Sequence, residues 1–202
     1  MRNIIAFILL MFAATPSFGQ KFNAGLFGGV TASQVDGDYY SGFKKLGLTS
    51  GVYVNREINF DISWQTEIKW VMRGVYEGPT DSNPNSLIRN VYHYIEFPLS
   101  VHYIWNDKVQ IEGGFSPEVL IQYKSWDQDG LQDPEQYPEN RPFGLSVFGG
   151  IHYWYSPVAS VGIRYTYSAF PFRDPQEWHN YLNRGYFHNV LALTLGYRFL
   201  HK

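Results

Sequence analysis

Val190-Leu191-Ala192-Leu193-Thr194-Leu195-Gly196-Tyr197-Arg198-Phe199, near the C-terminal end of the 202-residue chain, decides how the rest is read. Leu191, Leu193, Leu195, Tyr197 and Phe199 share one parity; Ala192, Thr194, Gly196 and Arg198 share the other. Successive side chains of a strand point to opposite faces, so this stretch has one oily face and one small, polar face. A half-buried strand of a soluble sheet would alternate in the same way. The segments upstream separate the two readings.

Alternation recurs in seven earlier stretches, each of about 10–16 residues, the length of a tilted membrane-spanning strand. The spacing predicts strands near 22–33, 45–55, 60–73, 91–105, 109–124, 144–155 and 158–169. In the third, Phe60, Ile62, Trp64, Thr66, Ile68, Trp70 and Met72 alternate with Asp61, Ser63, Gln65, Glu67, Lys69, Val71 and Arg73. Such a row of charges cannot face lipid; it needs a wet or ion-paired interior. The fourth turns Tyr92, Tyr94, Glu96, Pro98, Ser100 and His102 inward, and the fifth Gln110, Glu112, Ser116, Glu118 and Gln122. Pro117 cannot donate a ladder hydrogen bond and is expected to mark a bulge or break. The seventh turns Ser160, Gly162, Arg164, Thr166 and Ser168 inward.

Connections after the second, fourth and sixth strands are short, and those after the third, fifth and seventh are long. Bacterial barrels have short periplasmic turns and longer extracellular loops. The expected fold class is therefore all-β: an eight-stranded antiparallel transmembrane up-and-down β-barrel. A soluble barrel of the same strand number would turn its oily face inward.

Composition agrees. The chain has 16 Tyr, 15 Phe and 6 Trp, which suits aromatic girdles at two membrane interfaces. Arg2, an apolar run over 4–14, and the small residues Ser17 and Gly19 read as a secretory signal peptide over 1–19. Residues 20–202 would then form the barrel domain, in the cell outer membrane. The absence of cysteine excludes disulfides, thiolate catalysis and a lipoprotein anchor. With 16 basic and 18 acidic residues there is no basic footprint for nucleic acid.

Several stretches resemble the PorT-like outer-membrane β-barrel proteins common in Bacteroidetes. They are Gly25-Leu26-Phe27-Gly28-Gly29-Val30, Trp64-Gln65-Thr66-Glu67-Ile68, Tyr94-Ile95-Glu96-Phe97-Pro98-Leu99 and Leu195-Gly196-Tyr197-Arg198-Phe199. Glu96 to Leu99 is similar to that family's glutamate–hydrophobic–proline–leucine signature. The founding member is linked to type IX secretion, so the resemblance implies a cell-envelope setting with a secretion-related complex as one form of it; the inward charges and the aromatic last loop point to a non-enzymatic structural or accessory subunit.

Candidate sites follow from the inner faces. Glu67, Lys69, Arg73, Glu96, Glu112, Glu118, Arg164 and Arg198 mix both signs, and eight strands leave a bore that side chains fill. They are expected to form a structural ion-pair network; a small pore is the alternative. Ser100, His102 and Glu96 share one inner face and are the set a lipid-modifying hydrolase would use. An inward set has no path to lipid, so no enzyme is expected. His152 and His179 have no neighbour at metal-ligand spacing, and neither a metal nor a cofactor is expected. The acidic connection around Asp127-Gln128-Asp129-Gly130 lacks the spacing of a calcium loop. The last loop mixes Phe172, Trp178 and Tyr181 with Arg173 and Arg184, the residue types that interfaces favour. Expected partners are outer-membrane lipid and an envelope protein complex.

Overall fold

The computed structural model describes residues 22–38, 42–79, 87–132, 139–175 and 185–199. Among them the chain is built of strands: β1 (Phe22–Asp36), β2 (Lys45–Glu57), β3 (Ile62–Glu77), β4 in two runs (Ile88–Glu96 and Leu99–Ile104), β5 (Val109–Asp127), β6 (Phe143–Trp154), β7 (Ala159–Ser168) and β8 (Phe187–Arg198). A two-residue strand, Gly130–Leu131, folds back on the end of β5. Sequence neighbours pair antiparallel, and β1 pairs with β8, so the sheet closes into a ring of eight.

Register fixes the shape of that ring. From Phe22 the partners run through Arg56, Trp64, Val101, Gly113, Gly149, Tyr165 and Leu191, returning to β1 at Ala32. The circuit ends ten residues further along β1 than it began. With a rise of about 3.3 Å per residue and about 4.8 Å between strands, this stagger tilts the strands by about 41° and gives a backbone radius of about 8 Å. Side chains fill a bore of that width.

The two faces are inverted relative to a soluble protein. Leu26, Val30, Val52, Ile68, Val101, Ile151, Ile163, Leu193 and Leu195 are exposed on the outside, while Glu67, Arg73, Glu96, Glu112, Glu118 and Arg164 are buried inside. Only hydrocarbon makes that arrangement favourable. Tyr103, Trp105, Tyr153, Tyr155, Tyr197 and Phe199 ring one edge of the oily band, and Phe43, Tyr76, Phe143 and Phe170 lie toward the other.

The connections sort by length as expected. Four residues follow each of β2, β4 and β6, at 58–61, 105–108 and 155–158, and the connections at the opposite end are longer. Each short turn is closed by a side-chain oxygen. Asn59 Oδ1 accepts from the amides of Asp61 and Ile62, Asn106 Oδ1 from Lys108 and Val109, and Ser156 Oγ from Val158 and Ala159. Asn and Ser do this because their short polar groups reach the backbone two and three residues on.

Three details differ from the sequence expectation. First, the strands run three or four residues further on the long-loop side: β1 to Asp36, β3 to Glu77, β5 to Asp127, while β4 starts at Ile88 and β8 at Phe187. Alternation fades there because the outer face has left the lipid.

Second, Pro117 does not interrupt its own strand. β5 passes through it, and the break falls on the facing residues Phe97 and Pro98. Phe97 donates to the Pro117 carbonyl at 2.9 Å, but proline has no N–H to return the bond. The register with β3 holds across the gap, with Lys69 opposite Glu96 and Thr66 opposite Leu99.

Third, Gln122 faces outward and is exposed. His93 pairs with Gln122 but Tyr94 pairs with Leu120, so Ile121 is an extra residue. Such a bulge flips parity, which turns Tyr123 and Ser125 inward instead.

Candidate functional site

Among the described residues the bore holds two ion-paired clusters. In the first, Lys69 Nζ lies 2.6 Å from Glu96 Oε2, as their cross-strand pairing dictates. Arg73 Nη2 donates to Glu118 Oε1 at 2.5 Å and Nη1 to Oε2 at 3.1 Å, with Glu96 Oε1 at 3.4 Å from Nη1. Ser146 Oγ donates to Glu118 at 2.8 Å, and the Arg73 guanidinium lies 3.8 Å from the Tyr94 ring centre. Two positive and two negative groups balance here.

The second cluster lies nearer the short turns. Arg164 Nε and Nη2 donate to Glu112 at 2.6 and 2.8 Å, and Nη1 and Nη2 donate to Glu67 at 2.9 and 2.6 Å. One guanidinium thus bridges two carboxylates. The glutamates need room beside the backbone. Gly144 lies beside Glu118 and Gly150 beside Glu112; a Cβ at either would come within 2.7 Å of a carboxylate oxygen.

Arg198, expected in the same network, is not within ion-pair distance of a carboxylate among the described residues. Its guanidinium stacks 4.0 Å from the Trp154 ring centre at the end of the bore.

The candidate hydrolase set is rearranged. Ser100 Oγ is 3.0 Å from His102 Nε2, but Glu96 is held by Lys69 and Arg73. The acid beside His102 is Glu112, with Oε2 at 3.5 Å from the same Nε2. His102 Nδ1 has no hydrogen-bond partner among the described residues. A relay needs the serine on one ring nitrogen and the acid on the other. This geometry places both on one.

His152, which has no metal-ligand neighbour in sequence, gains one from strand pairing. Its Nε2 lies 3.0 Å from Glu112 Oε1, and ligand atoms of His102, Glu112 and His152 lie within 4.8 Å of one another. Three strands supply them: β4, β5 and β6. His102 and His152 also line a cavity of about 40 Å³, together with Gln65, Gln110, Trp154 and Ser160. His179 lies outside the described residues.

At the long-loop end the start of the last loop turns into the barrel. Phe172 is buried and stacks on His188 with ring centres 3.9 Å apart. Arg173, also buried, donates to Asn140 Oδ1 at 3.0 Å and to the Tyr92 hydroxyl at 3.3 Å, and lies near the rings of Tyr123 and Tyr186. Two settings are open to such a loop, a binding surface or packing over the barrel mouth, and Phe172 and Arg173 take the second. They cap the bore, because an arginine and an aromatic ring find a ready-made set of rings there. Trp178, Tyr181 and Arg184, the rest of that surface, lie outside the described residues.

His188 and Tyr92 lie at the centre of this cap, each fully buried. Extending the alternation of the last strand two residues upstream of Val190 places His188 on the inner face.

Residues 15–172 match the family described as "Outer membrane protein beta-barrel domain". No curated protein matches the chain. Among solved structures, Ail, the attachment invasion locus protein of Yersinia pestis, in complex with the heparin analogue sucrose octasulfate, is similar at 15% identity. That match covers 89% of this chain and 99% of Ail with a TM-score of 0.54. Neisserial surface protein A (NspA) is 12% identical over 88% of this chain and 97% of its own, with a TM-score of 0.55. At these identities the likeness is one of fold.

Proposed function

The chain belongs to the outer membrane protein beta-barrel domain family, and we propose that it serves there as a non-enzymatic structural or accessory subunit of a cell-envelope complex. The observation that carries this reading is the filled bore. Two layers of paired charges and the cap of Phe172, Arg173, Tyr92 and His188 occupy the interior, which leaves the outer surface and loops to do the work. Lipid is one partner, along the oily band. The protein partner would meet the long extracellular loops, with Trp178, Tyr181 and Arg184 as contacts. The PorT-like stretches favour a secretion-related complex. We also place the mature N-terminus after Gly19, which mass spectrometry of the native protein checks directly.

The test is isolation from native membranes in mild detergent. A second envelope protein in fixed stoichiometry is expected, and recovery of the barrel with lipid alone overturns the proposal. In planar bilayers the purified barrel should give no single-channel steps; regular steps would favour the pore. Ser100→Ala should leave the membrane lipid profile unchanged, since His102 has no carboxylate on Nδ1 among the described residues.

A further inference from the structure

Glu67 and Glu112 both bind the one guanidinium of Arg164, so with neutral imidazoles this cluster has one more negative than positive group, and the balancing cation of the inward set, Arg198, lies apart on the Trp154 ring. A cation bound beside Glu112 is favoured by that local excess. The two histidines nearest to it, His102 and His152, approach opposite oxygens of Glu112.

From this arrangement we propose that His102, Glu112 and His152 form a binding site for a divalent transition-metal ion of the zinc class. Three observations support it. The donor set is two imidazoles and a carboxylate, a combination that first-row divalent ions favour. The spacings are close to what such an ion needs: His152 Nε2 is 3.0 Å from Glu112 Oε1, His102 Nε2 is 3.5 Å from Oε2, and ligand atoms of all three residues lie within 4.8 Å of one another. Ligands about 2.05 Å from a tetrahedral centre sit about 3.3 Å apart.

The third observation is an unpartnered nitrogen: His152 Nε2, 3.0 Å from Glu112 Oε1, is buried without an aligned hydrogen bond among the described residues.

Arg164 fits the same scheme. A carboxylate that ligates a metal is normally held by a further hydrogen-bond donor, and Arg164 holds both Glu112 oxygens from the side. Ser100 Oγ, 3.0 Å from His102 Nε2, or a water in the adjoining cavity would complete four-coordination. The cavity borders Gln110 and Trp154, next to the short turns, so ions would enter from the periplasmic end. The site does not depend on whether a protein partner exists.

The experiment is calorimetric titration of the detergent-folded barrel with zinc chloride, paired with the visible spectrum after cobalt chloride. Expected are one zinc per chain, a rise in melting temperature with zinc, and intensified cobalt bands of a four-coordinate site. His102→Gln and His152→Gln should each weaken zinc binding by at least about 100-fold, since losing a direct ligand exceeds the 10–100-fold loss seen for outer-shell partners. His93→Gln, on the lipid side and stacked on Trp70, should bind as the wild type does. Absence of stoichiometric zinc binding by the wild type overturns the proposal without any variant having to fold. Binding that survives both inner substitutions, with folding verified by electrophoretic mobility before and after heating, also overturns it.

Discussion

Replacing Arg164 by methionine tests the sealed interior most severely. The substitution keeps an unbranched chain of similar volume and removes the charge that Glu67 and Glu112 share. Four hydrogen bonds to charged acceptors disappear. At about 1.5–3 kcal/mol each they would sum to roughly 6–12 kcal/mol. That sum is an upper bound, because the stranded carboxylates can take up protons and cavity water can reach them.

Breaking a buried pair by removing one partner costs about 3–5 kcal/mol, the figure expected here. Equilibrium unfolding in urea from lipid vesicles, followed by tryptophan fluorescence, measures it as a shift of at least about 100-fold in the folding equilibrium. A companion variant carrying Arg164→Met, Glu67→Gln and Glu112→Gln should recover most of the loss, since replacing the whole set leaves no orphaned charge. A single substitution that costs less than about 1 kcal/mol, or a triple that is worse than the single, would mean that the bore is wet and the reasoning wrong.

Other substitutions probe the seam, the ladder and the lipid face. At Gly29 an added Cβ would run into the Leu193 carbonyl across the closing β1–β8 seam, so Gly29→Val should cost at least about 1–3 kcal/mol and reduce the fraction with folded mobility on unheated gels. Pro117→Ala supplies the missing amide opposite Phe97 and should stabilise the barrel by about 0.5–1.5 kcal/mol in the same urea assay; destabilisation would show that the break is needed. Leu193→Arg, near the middle of β8 on the outer face, should cost about 2–4 kcal/mol in vesicles, whereas a neutral result would take that face out of the hydrocarbon.

Alternation read along one strand needs no tertiary information, because a strand's side chains take opposite faces by backbone geometry alone. That is why Leu191, Leu193 and Leu195 could be set against Ala192, Thr194 and Arg198 from the sequence, and why Glu67, Lys69 and Arg73 could be turned inward together. Loop lengths added the orientation. The same rule failed where geometry departs from a plain strand: the extra residue at Ile121 reversed Gln122, and the amide missing from Pro117 appeared as a gap at Phe97 on the neighbouring strand.

Which charges pair was decided only by the strand registers and, across the bore, by closure. Arg164 lies 97 residues from Glu67 and 52 from Glu112, yet the ring brings all three into contact. Parity says that a residue faces inward but not at what height, and height depends on the register of every strand between. Neighbouring registers set His102 directly opposite Glu112, His152 two residues along from the partner of Glu112, and Glu96 opposite Lys69, whereas Glu67 meets Arg164 across the bore. Local chemistry wrote the two faces of each strand; the sum of eight registers chose which inner groups meet.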